Sequence, residues 1–274
     1  MAGGWSVDSR RAGRAWRILD AMTEQPATEQ SATERPATER PVIEQPADGY
    51  ARHYPDLVRA GSLRAALGAA LPADTPDRYP GSVRAEAGER SVSVTTAEGE
   101  RAFRVRCSVR WVPMAAGRTD DLAAVAGAAA HWLRAVPVRE LTDRWPFLGT
   151  SELAEAYERG DPVPARWAGL RAARPRPRYA AELRAFIEAA HAEPRLRALS
   201  PGMSMFWLTF SRRAEHPVCH DLPMVRALGG DRYEIRHGEG RREVREVDGV
   251  PDTLAAVLAL LPADAVPEPC LPMI

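Results

Sequence analysis

The chain has 274 residues, with 37 basic and 37 acidic side chains and 45% hydrophobic content. That length allows one or two domains with a real core, and the balanced charge argues against non-specific binding to nucleic acid or anionic membrane, which both need surplus positive charge. Lysine and asparagine are absent, so every basic residue is arginine. Schiff-base chemistry, a P-loop lysine, a kinase β3 lysine and a Cys-His-Asn triad are thereby excluded. The arginine bias itself reads as the mark of a GC-rich genome. Three widely spaced cysteines, Cys107, Cys219 and Cys270, suit a reduced, cytoplasmic protein better than a disulfide framework. No apolar run approaches the roughly 18 residues of a membrane span, and no apolar stretch follows the N-terminal arginines to make a secretory signal.

Residues 1–49 read as a disordered low-complexity tail. Residues 23–46 carry a degenerate T-E-[QR]-[PS]-A repeat with recurrent proline and almost nothing apolar to offset the entropy of ordering. Residues 50–265 read as a single α+β domain, two β-rich halves with antiparallel sheet segments at about 82–112 and 203–247 around a helical block at 120–200, and 266–274 as a loose tail.

Within the domain, Pro55 to Leu71 has helical spacing of Leu57, Val58, Leu63, Leu67 and Leu71. Alternation then predicts strands over 91–95 and 103–111. In the second of these Phe103, Val105, Cys107, Val109 and Trp111 share one face, and Arg104, Arg106 and Arg110 share the other with Ser108. An arginine-lined face of this kind holds a carboxylate or phosphate; it is also the pattern of a solvated antiparallel sheet. Asp120 or Asp121 caps an alanine-rich helix over 122–135, apolar nearly all round. Trp145 to Trp167 follows, with helices starting at Thr150 or Ser151 and at Pro164 around a stop at Gly160-Asp161-Pro162. A basic, Pro-broken linker spans 171–178 and another amphipathic helix 179–192. The apolar run from Met203 to Arg212 predicts one central strand. Strands over 223–228, 232–237 and 242–247 and a closing helix over 251–261 complete the chain. Tryptophans 111, 132, 145 and 207 are expected in the core.

Reactive side chains are densest in the loop Glu215-His216-Pro217-Val218-Cys219-His220-Asp221. His216, Cys219, His220 and Asp221 are the candidate catalytic residues, with Cys219 as a histidine-activated nucleophile or the set as metal ligands. Neither reading has a full motif, and an ordinary polar loop accounts for the same residues. No metal site or resident cofactor is predicted; G-x-G-x-x-G and G-x-S-x-G are both missing. Arg104, Arg106 and Arg110 are the candidate anion-binding residues.

Several stretches together resemble one family. These are W-P-F at 145–147, E-L-A-E-A-Y-E-R-G at 152–160, W-x-x-L at 167–170, Pro194 to Pro201, L-x-F-S-R at 208–212, and the G-D-R-Y-E-I-R hairpin with its terminal helix. They resemble, over residues 50–265, an actinobacterial-type family of unknown function labelled as natural product biosynthesis proteins. The resemblance implies association with secondary metabolism and supplies no catalytic residues. The expected role is an accessory protein that binds a pathway intermediate, a peptide or a partner enzyme; the alternative is a tailoring enzyme using the loop at 215–221. No nucleic-acid or membrane partner is expected.

Overall fold

The structure, a computed structural model, describes residues 47–77, 79–173 and 180–273. The predicted tail as far as residue 46 and the linker core at 174–179 lie outside the described residues. The fold is α+β, with two antiparallel five-stranded sheets. Its described residues fall into two compact units: 47–109 with 113–151, and 110–112 with 152–273.

The first unit opens with helices α1 (Ala47–His53), α2 (Pro55–Ala60) and α3 (Leu63–Leu67). The single helix expected over 55–71 is broken because Gly61 takes φ 90° and Ser62 caps a new start, its hydroxyl accepting from the Ala65 amide at 3.0 Å. The sheet follows as β1 (Ser82–Ala87), β2 (Arg90–Thr96), β3 (Phe103–Val109), β4 (Val112–Thr119) and β5 (Leu148–Gly149), paired in that order. Tyr54 is 1% exposed, and its hydroxyl accepts from the amides of Ala97 at 2.9 Å and Ala102 at 3.0 Å. One side chain thus ties the β2–β3 connection to the N-terminal helices. Arg101 adds a two-pronged ion pair to Asp56, at 2.7 and 2.8 Å, which holds the Asp56 carboxyl below its ordinary range.

Helix α4 (Leu122–Leu133) starts at Asp121, whose carboxylate accepts from the amides of Ala123 and Ala124 at 2.8 and 3.1 Å. Trp132, fully buried, donates its indole N–H to the Ser91 carbonyl at 3.0 Å, and the Arg90 guanidinium stacks 4.1 Å from its ring. The small residues of α4 let other rings approach. A Cβ at Gly127 would overlap Trp145, which follows α5 (Val138–Arg144).

The second unit carries α6 (Glu152–Arg159), α7 (Pro162–Ala172), α8 (Ala180–Ala192) and α9 (Pro194–Arg197), then β6 (Ser200–Ser204), β7 (Trp207–Ser211), β8 (Met224–Gly229), β9 (Arg232–His237) and β10 (Glu243–Asp248). Helix α10 (Val250–Leu260) closes it. Trp167, Phe186, Leu208, Phe210, Val225, Tyr233, Ile235 and Val257 make one buried cluster between helices and sheet. The Trp167 indole donates to the carbonyls of Arg197 and Leu199 at 3.0 and 3.1 Å. The stretch from Trp145 to Trp167 is therefore architectural, and both ends pack into a core or against its wall.

Three expectations are corrected. The strand read through to Trp111 ends at Val109, and the chain reverses at Arg110 and Trp111 with φ of 46° and 73°. Arg110 thus leaves the arginine face, Trp111 is 72% exposed instead of buried, and β4 continues the sheet. The run from Met203 to Arg212 is likewise a hairpin, turning at Met205 and Phe206 with φ of 46° and 72°. In the sheet order β10-β9-β8-β7-β6 the second half of that hairpin, β7, is flanked on both sides as a central strand is, whereas β6 is the edge. The expected loose C-terminus is held down: Met273 is fully buried, its amide donates to the Tyr157 carbonyl, and the Glu268 amide donates to the Arg212 carbonyl at 2.9 Å. Among the described residues no helix is long and apolar enough to cross a membrane.

Candidate functional site

The loop at 215–221 is the first place to test for chemistry, and its charged members are already engaged. Glu215 ion-pairs with Arg110 at 2.9 Å, both side chains being about four-fifths buried. Arg110 also donates to the Leu271 carbonyl at 3.2 Å, so the pair joins a turn, the loop and the C-terminal segment. Asp221 pairs with Arg212, which also reaches Asp264 at 3.3 Å. The Cys219 amide donates to the Ser211 hydroxyl at 3.0 Å, and His216 and His220 are exposed.

Three other histidines have partners of their own. His131 faces Glu140 at 3.8 Å, His191 meets the Trp167 ring edge-on at 5.4 Å, and His237 faces Glu243 at 3.5 Å. Among the described residues no three His, Cys, Asp or Glu side chains gather to hold a metal ion. The remaining thiols are poorly placed for nucleophilic work. Burial pushes Cys107 up to about 12, and burial together with Glu215 raises Cys270, the opposite of what a reactive thiolate needs.

The arginine face has a different character. Cross-strand pairing sets Arg84 opposite Ser93 and Ser93 opposite Arg106; the next row runs Ser82, Thr95, Arg104, and the one beyond it Glu86, Ser91, Ser108. Partners in register project to the same side of a sheet, so three arginines surround a floor of hydroxyls. Val83, Val94 and Val105 form the opposite, buried row. Ser91 and Ser108 lie low, at 6% and 8% exposure, while Arg84 and Arg104 reach solvent. Arg84 bonds Glu86 at 2.8 Å and the Ser91 hydroxyl at 3.2 Å. Arg106 has no ion-pair partner among the described residues, and the carboxylate that feels Arg104, Glu100, is itself paired with Arg118. Three guanidiniums against one carboxylate leave this face with a positive surplus. Of the three predicted anion ligands the structure brings Arg104 and Arg106 together and removes Arg110. Arg84 takes its place.

A second arginine constellation escaped sequence reasoning. On the second sheet, Glu234 is 5% exposed and accepts from Arg226 and Arg236, each at 2.8 Å through Nε. Both guanidiniums also stack on Trp207, 4.8 and 4.9 Å from its ring. The signal was available in principle: Glu234 sits between buried Tyr233 and Ile235, so strand alternation alone turns it away from the core toward Arg226, its partner in register. This cluster is internally satisfied and works as a clamp across β7, β8 and β9.

Residues 161–268 match a family described as a family of unknown function, DUF6193. The matched segment begins at the start of α7 and ends beyond α10, so it covers most of the second unit and none of the first. W-x-x-L, L-x-F-S-R and the G-D-R-Y-E-I-R hairpin lie within it; W-P-F and E-L-A-E-A-Y-E-R-G precede it. No curated protein and no solved structure matches the chain.

Proposed function

We propose that the chain is an accessory protein of natural product biosynthesis that binds a carboxylate- or phosphate-bearing pathway intermediate on the outer face of its first sheet. The observation that carries this is Arg106, which has no ion-pair partner among the described residues and shares its face with Arg84, Arg104 and a row of hydroxyls. Guanidinium forks and hydroxyl donors are the groups that recognise carboxylate and phosphate by geometry as well as charge. The motif resemblance to proteins labelled for natural product biosynthesis supports the biological setting. Binding is favoured over tailoring chemistry because the acids of the 215–221 loop are spent in ion pairs with Arg110 and Arg212.

The test is genetic and chemical together. Deleting the gene in its host is expected to make an anionic intermediate accumulate, read by mass spectrometry of the metabolite pool. Restoring the wild-type chain should clear it, and restoring an Arg106→Ala chain should not. An unchanged metabolite pool after deletion, or full rescue by Arg106→Ala, contradicts the reading.

A further inference from the structure

A cavity of about 460 Å³ opens along β1 of the first sheet, where the segment after α3 runs back and touches the strand through a Tyr79–Ser82 bridge. That volume is of the size that houses small molecules. Asp74, Pro76, Tyr79, Val83, Arg84 and Glu86 are among the residues that line it. Among the described lining residues its charge is negative: Glu86 is neutralised by Arg84 at 2.8 Å, and Asp74 has no ion pair among the described residues, the nearby Arg64 guanidinium being spent on the carbonyls of Pro72, Ala73 and Thr75. The Tyr79 ring is 67% exposed beside it, offering a π face to a cation. Pro76 supplies apolar wall.

These features are complementary to an ammonium group on a short carbon frame. The carboxylate attracts it, the ring face adds cation–π contact, and the wall takes the adjoining methylenes. The pocket is also continuous with the arginine face, because Arg84 lines the one and begins the Arg84–Ser93–Arg106 row of the other. Two strand spacings, roughly 10 Å, separate Arg106 from the edge strand that lines the pocket, a length that a dipeptide-sized molecule covers.

We infer that the intermediate is amino-acid-derived: its ammonium group enters the Asp74–Tyr79 pocket while its carboxylate lies on Arg84 and Arg106. This rests on the anion-binding reading above and adds the cationic half of the ligand, which that reading leaves open.

The probes are alanyl-alanine, its N-acetyl derivative, which lacks the ammonium, and its amide, which lacks the carboxylate. Each is titrated into the full chain and followed by amide chemical shifts. The free dipeptide is expected to bind at least about tenfold more tightly than either derivative, the loss expected from removing one charged contact. Asp74→Asn, an exposed and isosteric change, should bring the dipeptide down to the level of the N-acetyl form and leave the N-acetyl form unmoved. Equal binding of dipeptide and N-acetyl form, or indifference to Asp74→Asn, overturns the inference while leaving the anion face standing. Equal binding of dipeptide and amide, with indifference to Arg106→Ala, overturns the anion face instead. Absence of any response to the three probes overturns the amino-acid assignment.

Discussion

Replacing Glu234 by Ala is expected to destabilise the second unit by about 2–3 kcal/mol. The side chain is 7% exposed and neutralises Arg226 and Arg236, which its loss leaves as adjacent like charges on one indole ring. Breaking a buried pair from one side costs roughly 3–5 kcal/mol. The lower figure applies because the two guanidiniums keep 37% and 39% of their surface in water and are partly solvated after the cut. Urea denaturation at neutral pH measures the difference; a loss below about 0.5 kcal/mol would show that the clamp contributes nothing.

The same side chain gives the effect a pH signature. Desolvation pushes the Glu234 carboxyl up, but hydrogen bonds from Arg236 and Arg226 outweigh it and hold the group below its ordinary range. A carboxyl with a depressed native pKa stabilises the fold fully above its unfolded value, near about 4.3, and loses that contribution as pH falls through the native value. The gap between wild type and Glu234→Ala should therefore be constant from neutral pH down to about 5 and shrink below about 4. A gap that widens on acidification contradicts the assignment.

Gly117→Ala is the second large expectation, a loss of about 3 kcal/mol in the first unit. A Cβ at this position would run into the carbonyl oxygen of Phe147, the turn residue just before β5, where β5 pairs with β4. Because the obstacle is backbone, no rotamer change relieves it, and the Gly117–Leu148 pairing has to open. Gly127→Ala is the internal comparison. There the obstacle is the outer edge of the Trp145 ring, which can pivot, and alanine restores about 1 kcal/mol of helix propensity. Thermal unfolding of the two variants should rank Gly117→Ala well below Gly127→Ala; the reverse order would mean that the β4–β5 pairing is dispensable.

The helices were the legible part of this fold. Asp121, Gly160 and Pro194 are start and stop signals that act locally, and the structure uses each where it stands, whereas the helix expected to start at Pro164 already starts at Pro162, which the sequence reading places in the preceding stop. The two hairpins were not legible, and the reason is specific. Two-residue reversals need positive φ and are recognised by Asn-Gly or Asp-Gly; here Arg110-Trp111 and Met205-Phe206 adopt it at a cost of about 1–2 kcal/mol per residue. Nothing in either dipeptide announces a turn, so one strand was read where two exist.

The candidate sites divide in the same way. That Arg104 and Arg106 share one face follows from period-2 alternation within a single strand, and the structure keeps them on it. Whether a charge is free depends on partners distant in sequence. Arg110 meets Glu215 across 105 positions, and Glu234 meets Arg226 across a hairpin. The acids of the 215–221 cluster therefore look free in sequence and are paired in space with Arg110 and Arg212. The β1-edge cavity was invisible for a related reason, since it needs the segment around Asp74 to fold back on Arg84.

The central claim is that the outer face of the first sheet binds anions, and a titration of the full chain with citrate followed by amide chemical shifts tests it most directly. Saturable shifts are expected in Ser91 to Thr95 and Arg104 to Ser108, with affinity falling about tenfold or more in Arg106→Ala. Shifts confined to 211–221, or a response that Arg106→Ala leaves unchanged, would contradict it.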